Sequence, residues 1–123
     1  MNKAKKILLA DDEPNILLSL DFLMRKNGFE VFIARNGTEA MEIIRKEKLD
    51  AAVLDIMMPD IDGYQICSFI KSKATYNHCK VLFLSAKSKE SDIEKGFEAG
   101  ADAYMTKPFS TRSLLLKVQE LLA

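Results

Sequence analysis

A doubly wound α/β domain on a five-stranded parallel sheet is the fold class that this 123-residue sequence predicts. Three observations carry that expectation. Short apolar runs alternate five times with segments whose apolar residues recur at helical spacing. The runs are continuous, as in strands covered on both faces, and lack the in-out alternation of half-exposed strands. The connections are short, and parallel neighbours require crossovers, which are right-handed.

The first strand is Lys6 to Leu9, with Ile7, Leu8 and Leu9 as its apolar run. Pro14 suits a first helical turn, Ile16, Leu20, Leu23 and Met24 keep the helical period, and Asn27-Gly28 is a helix stop. Val31 to Ala34 is the second strand. Asn36-Gly37 reads as a turn, and Ala40, Ile43 and Ile44 mark one face of a helix ending near Lys46. Ala51 to Leu54 is the third strand. A loop with Pro59, Asp60, Asp62 and Gly63 leads into a helix carrying Ile66, Phe69 and Ile70. The Asp60-Ile61-Asp62-Gly63 stretch shares a fragment of a calcium loop but lacks the remaining ligand spacing, so it reads as a turn and an N-cap. Val81 to Leu84 is the fourth strand. Ser88 to Ala99, with Ile93 and Phe97 four apart, is the fourth helix, and Gly100 stops it. The fifth strand is about Ala103 to Thr106. Ser110 caps the last helix, whose apolar positions are Leu114, Val118, Leu121 and Leu122.

Length and composition fit one domain over residues 1–123, with a core that needs no disulfide or metal staple. Eighteen Lys plus Arg balance eighteen Asp plus Glu, which gives no basic excess for direct nucleic-acid or anionic-membrane binding. The longest apolar run is four residues, against roughly twenty for a spanning helix. The lysines before Ile7 imitate a signal peptide, but Asp11-Asp12-Glu13 closes the apolar stretch too soon, so a cytoplasmic protein is expected. Cys67 and Cys79 lack the clustering of a zinc site or a disulfide framework and read as reduced packing residues. His78 reads as a loop histidine without metal.

In open α/β sheets ligands sit beyond the carboxyl ends of the strands. Asp11 and Asp12 follow the first strand, Asp55 the third, Ser85 and Ala86 the fourth, and Lys107 and Pro108 the fifth. Three carboxylates, a hydroxyl and an ammonium should therefore meet at one sheet edge. Clustered carboxylates raise one another's proton affinity unless a cation neutralises them, and a shallow oxygen-only site suits Mg²⁺. Singly, each residue has an ordinary reading: helix-terminal charges for Asp11 and Asp12, a turn cap for Asp55, a satisfied hydroxyl for Ser85, a solvated charge for Lys107 and a core ring for Tyr104.

Four stretches in order are far more specific: Ile7 to Pro14, Leu54 to Gly63, Leu84 to Lys87, and Gly100 to Phe109. On these the chain resembles, over essentially its whole length, the receiver domain of bacterial two-component response regulators. The resemblance implies a flavodoxin-like sheet of order 2-1-3-4-5. It implies that Asp55 accepts a phosphoryl group from a phosphohistidine on a sensor histidine kinase or phosphotransfer protein. Mg²⁺ would be held by Asp11, Asp12, Asp55 and the Met57 carbonyl, and would screen the anionic donor from the anionic acceptor. Ser85 and Lys107 would bind the phosphoryl oxygens, each charge-assisted bond contributing about 1.5 to 3 kcal/mol. Together these can supply the roughly 5 kcal/mol of differential binding that throws a two-state switch.

As the Ser85 hydroxyl moves in, Tyr104 would turn inward behind it and change the face of helix four, strand five and helix five. That face would address a downstream target or a fused output domain. The Lys107-Pro108 bond is expected to be cis, and the small Ala86 to let the backbone approach the phosphoryl group. Met57 and Lys87 stand where fast-hydrolysing relatives orient a water, so a slowly hydrolysed acyl phosphate is expected. Ala103 and Ser113 replace acids of relatives that dimerise through that face, although Arg112 is kept, so a monomer is expected before phosphorylation. Helix one and the adjoining loops are the expected kinase-docking surface, by analogy alone. The protein would be no turnover enzyme, catalysing only its own phosphorylation and slow dephosphorylation. Two other functional classes fit the residues less well. A phosphohydrolase with an Asp55 nucleophile lacks the acid two residues on, where Met57 stands; a phosphorylation-independent interaction module would not need the intact acidic set.

Overall fold

The computed structural model describes residues 3–123. The chain alternates β1 (Lys6–Ala10), α1 (Pro14–Lys26), β2 (Glu30–Ala34), α2 (Gly37–Lys46), β3 (Ala51–Leu54), α3 (Gly63–Ser72), β4 (Lys80–Ser85), α4 (Glu90–Glu98), β5 (Ala103–Thr106) and α5 (Thr111–Leu122). All neighbouring strands are parallel, in the order β2-β1-β3-β4-β5. Reversal of direction at β1 and β3 sends the first helix and the third to opposite faces and leaves a crevice at the carboxyl edge between them.

Alternation along each strand divides the core in two. Leu8, Ala10, Ala52, Leu54, Val81 and Phe83 face α2 and α3. Ile7, Leu9, Val53, Leu82 and Leu84 face α1 and α5, where Leu17, Leu20, Met24, Leu114 and Val118 meet them. Both faces are covered, which is why the strand sequences run apolar without a break. Cys67 and Cys79 are buried free thiols, pushed up to about 12 by burial, and act as packing groups. No helix among the described residues is long and apolar enough to cross a membrane.

Several boundaries differ from the sequence reading. β1 runs on to Ala10, which pairs with Ala34 and Leu54. Ser85 does not follow β4 but ends it, opposite Thr106. Asn36-Gly37 is a helix start: the Asn36 side chain accepts the Glu39 amide at 2.9 Å. Asp62 caps α3, as expected, in a reciprocal pair with Gln65.

α4 is shorter than Ser88 to Ala99, because Lys89 is extended and its amide bonds the Asp92 carboxylate. Nor do Ile93 and Phe97 form its packing face, since Phe97 is 48% exposed. Gly96 does, because without a Cβ it lets α4 settle onto the Phe83 and Tyr104 rings. Gly28 and Gly100 stop α1 and α4 with φ of 87° and 105°, values open to glycine and strained for other residues.

Candidate functional site

The acidic edge is assembled by backbone pairing. The Asp11 amide bonds Ala34 O at 3.1 Å, and the Asp55 amide bonds Ala10 O at 2.9 Å, so both aspartates leave their strands side by side. The Lys107 amide bonds Ser85 O at 2.8 Å and brings the fifth strand's lysine to the same edge. One acidic oxygen from each of Asp11, Asp12, Glu13 and Asp55 lies within 4.8 Å of the others. Asp11 and Asp55 are buried, Asp12 and Glu13 exposed.

Lys107 is the hub. Its Nζ stands 2.9 Å from Asp11 Oδ2, 2.9 Å from Glu13 Oε1 and 3.4 Å from Asp55 Oδ2. The other oxygens are tied to the backbone: Asp11 Oδ1 accepts the Glu13 amide at 2.9 Å and Asp55 Oδ1 the Ile56 amide at 2.7 Å. One ammonium thus faces three carboxylates, with a fourth nearby. That imbalance leaves net negative charge in a largely desolvated crevice.

Burial raises the Asp11 carboxyl above its ordinary value, with the Lys107 bond and the Glu13 amide opposing. Burial also raises Asp55, and the Asp11 charge adds to it, while Lys107 and the Ile56 and Met57 amides oppose. Burial lowers Lys107, but its bonds to Glu13 and Asp11 and the Asp55 charge outweigh that and raise it.

Both raised carboxyls bind a proton more tightly folded than unfolded, so their contribution to stability falls as pH rises from about 3.8 through their folded values. Metal-free protein should therefore melt at a higher temperature at mildly acidic than at neutral pH. Asp60, held well below its ordinary value by the Thr38 hydroxyl, titrates lower and does not tilt this window. Mg²⁺ needs deprotonated ligands, so it should raise the melting temperature most at neutral pH and flatten the slope. Melting curves across pH in EDTA and in Mg²⁺ check this, and a metal-free curve rising toward neutrality would contradict it.

Ser85 and Tyr104 form a second group beside the first. Ser85 is fully buried, and its Oγ accepts the Lys87 amide at 3.2 Å. The half-buried Tyr104 already faces inward, so the expected inward turn is not a change from this structure: its hydroxyl donates to Lys87 O at 2.7 Å with the Ser85 hydroxyl against it, and its ring lies 5.9 Å from that of Phe83. Burial pushes the phenol up to about 12. The Lys107-Pro108 peptide is cis, as expected. The Met57 side chain is exposed at a cleft of about 510 Å³ that it shares with Asp12, Lys87 and Lys95. His78 lies at the opposite, amino edge of the sheet, lining a separate cavity with Cys79.

Asp11, Asp12, Asp55 and Lys107 are therefore brought together as the sequence led one to expect. Glu13 was missed as a member of the site. Its signal is present in the unbroken triplet Asp11-Asp12-Glu13, within the Ile7 to Pro14 stretch that carries the resemblance, although the sequence reading gives it no role in the site. The paired state of Lys107 also corrects the switch arithmetic. It can contribute to phosphoryl binding only the difference between its new partners and the Asp11 and Glu13 it holds now.

The sequence profile of the response regulator receiver domain matches residues 7–119. Among solved structures, the chain is similar to a CheY-like response regulator receiver domain protein from Methanospirillum hungatei, with 31% identity and a TM-score of 0.92 over 98% of this chain and 94% of that one. It is similar to the BeF3-activated receiver domain of DrrB, at 37% identity and a TM-score of 0.89 over 97% of each chain. It is also similar to the receiver domain of a signal transduction histidine kinase from Syntrophus aciditrophicus, at 30% identity and a TM-score of 0.89 over 97% of this chain and 90% of that one. With this profile, strand order and acidic edge, the chain belongs to the response regulator receiver domains, the phosphoacceptor signalling modules of two-component systems.

Proposed function

We propose that Asp55 is the phosphoacceptor of a switch whose single receiver domain takes up residues 1–123, served by a sensor histidine kinase or phosphotransfer protein. One observation carries the reading: a 4%-exposed aspartate at the carboxyl edge of the central strand, 3.4 Å from a lysine ammonium and within 4.8 Å of three further acids. An Asp55 oxygen attacks phosphorus, the phosphorus–nitrogen bond to the donor imidazole breaks, and the imidazole keeps the electron pair and takes up a proton. The product is an aspartyl phosphate. The domain turns over no other substrate.

The donor set is all hard oxygen and suits Mg²⁺. Asp11, Asp12, Asp55 and the Met57 carbonyl would hold it, and it would neutralise charge shared by donor and acceptor. The chain's own residues do the rest. Lys107 keeps an ammonium beside the Asp55 oxygen, where negative charge accumulates. Ser85 keeps a hydroxyl at the end of β4, able to leave the Lys87 amide for a phosphoryl oxygen. Tyr104 reads that movement, because its hydroxyl lies against Ser85 while its ring carries α4 through Gly96. The α4-β5-α5 face then presents the change to a downstream target or a fused output domain, from a cytoplasmic protein that is monomeric before phosphorylation. Helix α1 receives the kinase, and its exposed Leu18 and Phe22 support that reading.

The test is incubation with acetyl phosphate. One phosphoryl group should be gained in Mg²⁺ and none in EDTA, with the modified residue mapped to Asp55. Neither Met57 nor Lys87 can orient a hydrolytic water, so the adduct should decay slowly. A lifetime of seconds would contradict that part, and no adduct at all would revive the phosphorylation-independent module.

A further inference from the structure

The loop between β3 and α3 carries Met57 and is held at both ends. At its inner end the Asp55 amide bonds Ala10 O, and the Met58 and Gly63 amides both bond Ile56 O, at 3.2 and 2.9 Å. Gly63 packs so closely that a Cβ there would strike the Asp55 carbonyl oxygen and come within 2.9 Å of Ile56 Cα. At its outer end sits Asp60. Its Oδ1 accepts the Gly37 and Ile61 amides, both at 2.8 Å. Its Oδ2 accepts the Thr38 amide at 2.8 Å and the Thr38 hydroxyl.

This is not ordinary local capping. Asn36 already caps α2 through the Glu39 amide, as an N-cap residue does. Asp60 comes from 22 and 23 residues away to take the two amides that Asn36 leaves. Contact between loop and helix is tight as well, since a Cβ on Gly37 would come within 2.6 Å of Ile61 Cβ. The Thr38 hydroxyl and these amides hold the Asp60 carboxyl well below its usual range.

We propose that Asp60 and Thr38 form a latch that fixes the β3-α3 loop against α2 and thereby sets the position of the Met57 carbonyl at the acidic edge. Asp60 is a positioning residue, exposed and away from the acids, and acts on the site through the loop backbone. The inference rests on the phosphoacceptor reading for its purpose. The tie itself is three hydrogen bonds, from the Gly37 and Thr38 amides and the Thr38 hydroxyl, between elements that no β-ladder joins.

Direct calorimetric titration with Mg²⁺, without a phosphodonor, tests it on the parent, Asp60→Ala, Asp60→Asn and Thr38→Val. Asp60→Ala should weaken Mg²⁺ binding by on the order of ten-fold, the cost usual when a partner that orients a metal ligand is lost. Asp60→Asn keeps an acceptor oxygen for the Gly37 amide and should recover part of that loss. Thr38→Val removes only the hydroxyl bond and should give a smaller loss with the fold intact, so it decides the matter if Asp60→Ala does not fold. Acetyl phosphate uptake should shift to higher Mg²⁺ in parallel, with its rate at saturating Mg²⁺ little changed.

A lower melting temperature with unchanged Mg²⁺ affinity in both Asp60→Ala and Thr38→Val would reduce Asp60 to a helix cap and overturn the latch. A parent protein that binds Mg²⁺ but accepts no phosphoryl group would instead overturn the phosphoacceptor reading, while the affinity series still tested the latch.

Discussion

Asp55→Asn is expected to take up no phosphoryl group from any donor and, in metal-free buffer at neutral pH, to melt at a higher temperature than the parent. Loss of uptake follows from replacing the carboxylate that the proposed function makes the nucleophile with an amide, whose oxygen is a far poorer one. The gain in stability follows from the charge count, because three carboxylates contact one ammonium and a fourth lies within 4.8 Å. Burial and Asp11 both disfavour the Asp55 anion. An asparagine keeps its oxygen on the Ile56 amide and turns donor hydrogens toward the remaining acids. The change should exceed the roughly 0.5 kcal/mol typical of an indifferent substitution. Urea melts in EDTA measure it, and added Mg²⁺ should narrow or reverse the difference, because the variant lacks a carboxylate of the proposed Mg²⁺ site. A destabilised Asp55→Asn in EDTA would mean that the Lys107 contact outweighs the repulsion.

The layered fold was legible because its strands are buried on both faces. Runs such as Ala51 to Leu54 and Val81 to Leu84 have no other economical reading in a chain without membrane-length segments. Their ends were less legible, because a ladder stops where hydrogen bonding stops and not where hydrophobicity does. Ser85 is polar, yet it stays in β4 because Thr106 stands opposite. The face of α4 was misread for a related reason. Periodicity counts large apolar side chains, whereas close approach to the Tyr104 ring selects the absence of one, at Gly96.

The candidate site divides in the same way. Asp11, Asp12, Asp55 and Lys107 could be placed from topology, since each follows a strand at one edge. Which acid holds which oxygen of the hub could not be so placed. Lys107 and Asp11 are 96 residues apart, and Glu13 joins them only because the start of α1 turns it back over the crevice. The Asp60 tie to α2 was equally hidden. Its partners lie in a helix start that read as a turn, and a carboxylate in a polar loop gives no pattern by itself.

Lys107→Ala should have the larger effect on the resting protein. The Lys107 side chain is 10% exposed, and it bridges Asp11 and Asp55 side chains that are 4% and 6% exposed. Removing it leaves buried acids with no ammonium contact, and breaking such a pair costs about 3 kcal/mol, the lower end of the usual range because the exposed Glu13 can turn to water. In the proposed Mg²⁺ site Lys107 would compete with the metal for the same carboxylate oxygens, so the variant should bind Mg²⁺ more tightly and recover part of its stability when the metal is added. Phosphoryl uptake should nevertheless fall by roughly a hundred- to a thousand-fold, the usual effect of deleting a positioned group that meets developing negative charge. Tighter metal binding together with slower transfer separates the two roles of the ammonium. Weaker Mg²⁺ binding, or an unchanged rate, would show that Lys107 neither shields the resting acids nor meets the incoming phosphoryl group.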